Sequence, residues 1–163
     1  MFEIGSKVMH PIYGLGTVQS FSEQEILGTR GLFTKILFEE AKLSVEIDTN
    51  SNTPMIRDLI SPDSIEKVQA RLQTQKEELP AKASERFALN MRKLKSNDVL
   101  QIAEVVRDLT ALSLERKLPP KEQTILKQAR HALATEIAFI TAREVDSVDE
   151  ELDELCRDAY YRF

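Results

Sequence analysis

Cysteine and tryptophan are nearly or wholly missing from this chain. Among its 163 residues there is one cysteine, Cys156, and no tryptophan. A single cysteine excludes an internal disulfide and a cysteine-based zinc site, and it fits a reducing compartment. Histidine is also scarce. His10 falls in a predicted strand and His131 in a predicted helix, and two histidines so far apart form no recognisable ligand set. No apolar run approaches the roughly 18 residues of a membrane span. The first ten residues, MFEIGSKVMH, lack the basic and apolar regions of a signal peptide. The expected setting is therefore the cytoplasm, without a membrane partner.

Catalytic patterns are missing too. Gly14-Leu15-Gly16 is a turn with no helix after it, so it is no phosphate-binding loop. No serine sits in a nucleophile motif. Cys156 lies among carboxylates that disfavour its thiolate. The expectation is a protein that is not an enzyme, with no cofactor, no metal and no small-molecule substrate.

Ordinary globular composition is present. Apolar residues make up 42% and charged residues 30%, and a chain of this length buries roughly 68–70% of its unfolded surface. All five glycines lie within the first 31 residues. Lys42 to Asp48 alternates, with Leu43, Val45 and Ile47 on one face, as a half-buried strand does. Leu32 to Phe38 is apolar on both sides, and Gly28-Thr29-Arg30-Gly31 supplies a turn before it. Residues 1–60 thus predict four or five short antiparallel strands in a small barrel, with one short edge left open. Lys42 to Asp48 is the candidate edge.

Helical periodicity takes over at Ser61-Pro62-Asp63, a helix start. Ile65, Val68 and Leu72 follow on one face. A second helix is expected over residues 80–95. A third follows Ser96-Asn97-Asp98, with Val99, Ile102, Val106, Leu109 and Leu112 as its stripe. A fourth opens at Pro119-Pro120, with Leu126, Ala129, Leu133, Ile137 and Ile140 inward. A fifth begins near Ser147. The reading is an α+β chain of two domains, a small β-barrel over 1–60 and a compact all-α five-helix domain over 61–163.

The net charge of −5 argues against autonomous nucleic-acid binding, but the charge is uneven. Residues 82–95 hold Lys82, Arg86, Arg92, Lys93 and Lys95 against Glu85 alone. Residues 144–158 hold eight acids and one arginine. The basic run reads as a solvated helix face or as a weak phosphate-contacting patch that something else must deliver to DNA.

The run Gly5-Ser6-Lys7-Val8-Met9-His10-Pro11-Ile12-Tyr13-Gly14-Leu15-Gly16-Thr17-Val18 resembles the opening of the CarD family. Its module is similar to the polymerase-interacting domain of the transcription-repair coupling factor. Ala103-Glu104-Val105-Val106-Arg107-Asp108-Leu109, Glu115-Arg116-Lys117-Leu118 and Leu126-Lys127-Gln128-Ala129-Arg130 extend the resemblance over nearly the whole chain. It implies a bacterial transcription regulator whose Tudor-like (SH3-like) barrel docks on the β subunit of RNA polymerase. It further implies a helical domain that contacts promoter DNA and stabilises the open complex, and so a nucleoid-associated location through the polymerase.

Carried onto this chain, the polymerase-binding strand is Val45, Glu46 and Ile47, and the DNA-binding set is Arg86, Arg92, Lys93 and Lys95. Strand addition at a barrel edge would give docking. Tethering at an effective concentration of about millimolar would make weak, largely sequence-independent phosphate contacts sufficient. Two departures stand out. Ala83 occupies the position of the family's wedge tryptophan, with Phe87 one turn away, and Glu85 and Ala88 stand where bases are common. Glu46 stands where some relatives carry arginine. The alternative reading is a polymerase-docking adaptor with little or no DNA contact.

Overall fold

Glycine and alternation build the first unit. The computed structural model describes residues 2–49 and 56–163, and the chain forms two compact units, residues 1–59 and 60–163. The first holds β1 (Lys7–His10), β2 (Gly14–Ile26), β3 (Thr29–Phe38), β4 (Leu43–Asp48) and β5 (Arg57–Asp58). All ladders are antiparallel, in the order β4-β3-β2-β1-β5. Val8, Val18, Ile36, Phe38 and Ile56 form its core. Gly16 is required there by close approach. A Cβ on it would lie 2.6 Å from both Ile36 Cγ2 and Phe38 Cε1.

Three details differ from the sequence reading. The sheet is open, not a closed barrel: among the described residues β4 pairs only with β3, and β5 only with β1. The β2–β3 turn is Leu27-Gly28, with Ile26 paired to Thr29. Both turn residues have positive φ, 52° and 81°, as the tight hairpin turn that matches strand twist requires. Thr29 to Gly31, expected as turn, therefore belong to β3. Strand β2 is also long, because its outer half, Ser20 to Ile26, pairs with β3 as a ribbon beyond the end of β1.

The second unit is helical: α1 (Pro62–Leu72), α2 (Ala83–Lys95), α3 (Val99–Glu115), α4 (Pro120–Thr141) and α5 (Val145–Arg162). Proline opens α1 and α4, where its missing N–H has no intrahelical partner to lose. Asp98 caps α3, its side chain accepting from the Leu100 N–H. The expected start of the second helix at 80 moves to Ala83. Helix α3 is the central element, buried at ten of its seventeen positions from Ile102 to Leu112. Leu126, Ile140 and Leu155 are only partly buried, while Cys156, on the inner stripe of α5, is buried.

Candidate functional site

Strand β4 lies at one edge of the sheet. Leu43, Val45 and Ile47 turn inward and pack against the core, half-buried, while Ser44 and Glu46 are exposed. Of the sequence-predicted trio, only Glu46 offers its side chain to a partner. The backbone register adds a second feature. The Thr49 N–H donates to the Leu32 carbonyl at 2.9 Å. In an antiparallel ladder the bonded pairs alternate, so residues 47, 45 and 43 bond to β3. Ser44 and Glu46 therefore direct their backbone N–H and C=O groups away from the sheet.

Two features beside this edge carry no sequence signal as a site. Gln24 Nε2 donates to Glu46 Oε2 at 2.8 Å, which ties the β2–β3 ribbon to the edge strand across β3. At the ribbon's tip Leu27 is 100% exposed and Ile26 51% exposed. A left-handed backbone costs a leucine roughly 1–2 kcal/mol, so the fold holds an apolar side chain in water at a strained position.

The cationic set divides differently from its reading in sequence. Arg86 is buried, 3% exposed. Its Nε and Nη2 donate to the two carboxylate oxygens of Glu122 at 2.8 and 3.1 Å. Its Nη1 donates to the Pro80 and Ala81 carbonyls at 3.2 and 2.7 Å. The hydrogen bonds that Glu122 accepts outweigh burial and hold the guanidinium more firmly protonated than usual. Assigning Arg86 to DNA is therefore corrected: the group is buried and donates four bonds inside the helical unit. Lys93 is mostly buried and lies 3.3 Å from Glu104, which also binds Arg71 at 2.8 Å. Arg92 and Lys95 are exposed.

Further exposed cations surround the start of α4. Lys117 lines a groove of about 370 Å³ with Gln123, Lys127 and Arg130. Lys121 lines a second, largely apolar groove of about 510 Å³ with Ala83, Ser84, Phe87, Pro119 and Pro120. Its Nζ stands 5.6 Å from the Phe87 ring centroid. The Ala83 position thus opens onto an apolar groove. Sequence reasoning missed Lys117, Lys121 and Lys127 because, spaced four and six apart at the start of α4, they lack the density of the basic run over 82–95.

The remaining polar candidates are structural. His10 is buried, its Nδ1 accepting from the Ile12 and Tyr13 N–H groups at 3.0 and 3.1 Å. Burial lowers its pKa below the ordinary 6.5. Burial pushes the Cys156 thiol up to about 12, away from any nucleophilic role. Among the described residues no cluster of three or more potential metal ligands occurs, and no helix is long and apolar enough to cross a membrane.

A model of the CarD C-terminal domain matches residues 67–153. The chain belongs to the CarD family. It is also 28% identical over 144 residues to "Putative transcription factor YdeB" of Bacillus subtilis (strain 168), a match spanning 86% of this chain and 92% of that protein. The CarD match begins within α1 and ends within α5. It therefore includes both partners of the Arg86–Glu122 pair and both grooves at the start of α4.

Proposed function

We propose that this CarD-family chain is a transcription regulator that docks on the β subunit of RNA polymerase through the β4 edge and contacts promoter DNA through its helical unit, stabilising the open complex. The observation that carries the docking is the outward backbone of Ser44 and Glu46 on an exposed edge strand. A partner strand laid there would gain main-chain hydrogen bonds, with Glu46 giving specificity. The ribbon tip, Ile26 and Leu27, adds an apolar contact on the same unit. The exposed Glu46 of β4 predicts a basic or polar partner strand.

Proline separates docking from folding. The Glu46 N–H points outward, so Glu46→Pro spares the β3–β4 ladder but removes the donor and blocks strand addition. Glu46→Pro is expected to fold normally, by circular dichroism and thermal midpoint, and to lose binding to a β-subunit lobe fragment. Binding by the folded variant equal to wild type would falsify edge docking. Val45→Pro, which cuts the ladder itself, serves as the destabilised control.

DNA contact in this reading passes to Arg92 and Lys95, joined by Lys117, Lys121 and Lys127 around the two grooves. A second reading keeps the docking and drops the DNA. It is favoured by the burial of Arg86, the pairing of Lys93 and the alanine at 83. Crosslinking in an assembled polymerase–promoter complex separates the two. Crosslinks from Lys95 or Lys121 positions to DNA support the regulator, and crosslinks to protein alone support the adaptor.

A further inference from the structure

The inward stripe of α2 is unlike that of any other helix in the unit. Its three buried residues, at spacings of four, are Arg86, Asn90 and Leu94, and only the last is apolar. Helix α1 presents Ile65, Val68 and Leu72 inward, and α5 presents Val148, Leu152, Cys156 and Ala159. Hydrophobic burial is non-directional and favours closure for any apolar stripe. Helix α2 packs Phe87 and Met91 against the core only as partly buried side chains, so two of the three positions of its fully buried stripe depend on directional polar groups that must meet their partners.

Arg86 meets them. Its four donated bonds join α2 to Glu122 on α4, and fold the carbonyls of Pro80 and Ala81 against the same guanidinium. Asn90 does not. It has no exposed surface, and neither its amide oxygen nor its amide nitrogen has a hydrogen-bond partner among the described residues. In the closed helix both atoms have given up water for nothing in return. An opened helix restores their hydration. The start of the segment before α2 is tied to α3 at Thr74, Lys76 and Glu77, which leaves Glu78 to Lys82 as the stretch that can move with the helix. Residues 73–82 contain no helix or strand, and Lys82 at the N-cap gives no side-chain cap. At the other end Asn97, with φ of 57°, makes a sharp corner into α3.

We infer that α2 opens as a separate unit, swinging about the Asn97 corner, with Arg86–Glu122 as the latch and the unpartnered Asn90 amide as the bias toward release. This opening rests on the packing alone. Its consequence for DNA rests on the function proposed above: α2 carries Arg92 and Lys95, so any duplex that needs the closed helix binds in proportion to the closed fraction. A variant with a firmer α2 would then bind more tightly without a new contact.

Hydrogen exchange of the full chain, read peptide by peptide, tests the device. Amides of α2 in the wild type are expected to exchange at least ~10-fold faster than those of α3 and α4, as a locally opening segment does. Asn90→Leu, similar in size and apolar, should slow α2 toward its neighbours while α4 stays unchanged. Asn90→Met, whose flexible side chain fills an irregular space with less strain, repeats the comparison should leucine prevent folding. Glu122→Gln, which removes the latch charge, should speed α2 further. Exchange of wild-type α2 in step with α3 would overturn the proposal. So would Asn90 variants whose α2 exchanges no more slowly than the wild type, or a Glu122→Gln chain with α2 unchanged.

Discussion

At the scale of single residues, two polar side chains do structural work that their charge alone would not suggest. His10 accepts two backbone N–H groups on Nδ1, so the fold requires its neutral form. Burial lowers its pKa from 6.5. The unfolded chain therefore takes up a proton on this residue at a pH where the folded chain does not. The stability that depends on His10 is complete above pH 6.5 and declines as pH falls below that value toward the lowered one. Thermal midpoints followed from about pH 7 to 5 should show this decline, and it should flatten in His10→Asn, which can accept a bond but cannot titrate. Arg86 is the second case. Removing one partner of a buried ion pair costs about 3–5 kcal/mol, so Arg86→Ala should lower the thermal midpoint of the helical unit sharply. The inward position of Arg86 was missed: it stands eight residues from Leu94 and so shares its face, but the charge drew the reading to the surface. Its partner was not legible, since Glu122 lies 36 positions away and only packing joins them.

At the scale of elements, patterns announced themselves where one face was dry. The alternation of β4 and the stripes of α1, α3 and α5 follow from half-burial, and the structure places Val45, Ile65, Val106 and Leu152 as the periodicity requires. The outer half of β2 gave no such sign. Its residues from Ser20 to Ile26 form a ribbon exposed or half-exposed throughout, and a strand with no buried face has no alternation to show. The same exposure hid the turn, since glycines at 28 and 31 drew the expectation away from Leu27. That leucine yields a test at this scale. Leu27→Asn relieves a left-handed strain of roughly 1–2 kcal/mol, because asparagine tolerates this conformation. It should raise the thermal midpoint of the N-terminal unit while weakening binding to the β-subunit fragment. Gly16→Ala should act oppositely on stability. A methyl group at 2.6 Å from Ile36 and Phe38 is overpacking, which typically costs about 1–3 kcal/mol, read as a lower midpoint in denaturant.

At the scale of the whole molecule, charge and tethering govern the account. A chain of net charge −5 is not drawn to a duplex as a whole, so its affinity rests on local cations, and each phosphate contact contributes about 0.9 to the slope of log affinity against log salt. Arg92→Ala combined with Lys95→Ala should therefore lower that slope by up to about 1.8 in the polymerase–promoter complex, with docking on the β fragment unchanged. The most direct measurement is the affinity of the full chain for a promoter duplex at physiological salt, with and without the β-docked polymerase. The account predicts scarcely measurable binding to the duplex alone, and binding tighter by about 10²–10⁴ when polymerase supplies the tether. The gain should vanish in Glu46→Pro. Equal affinity with and without polymerase, or a gain that survives Glu46→Pro in a folded chain, would contradict it.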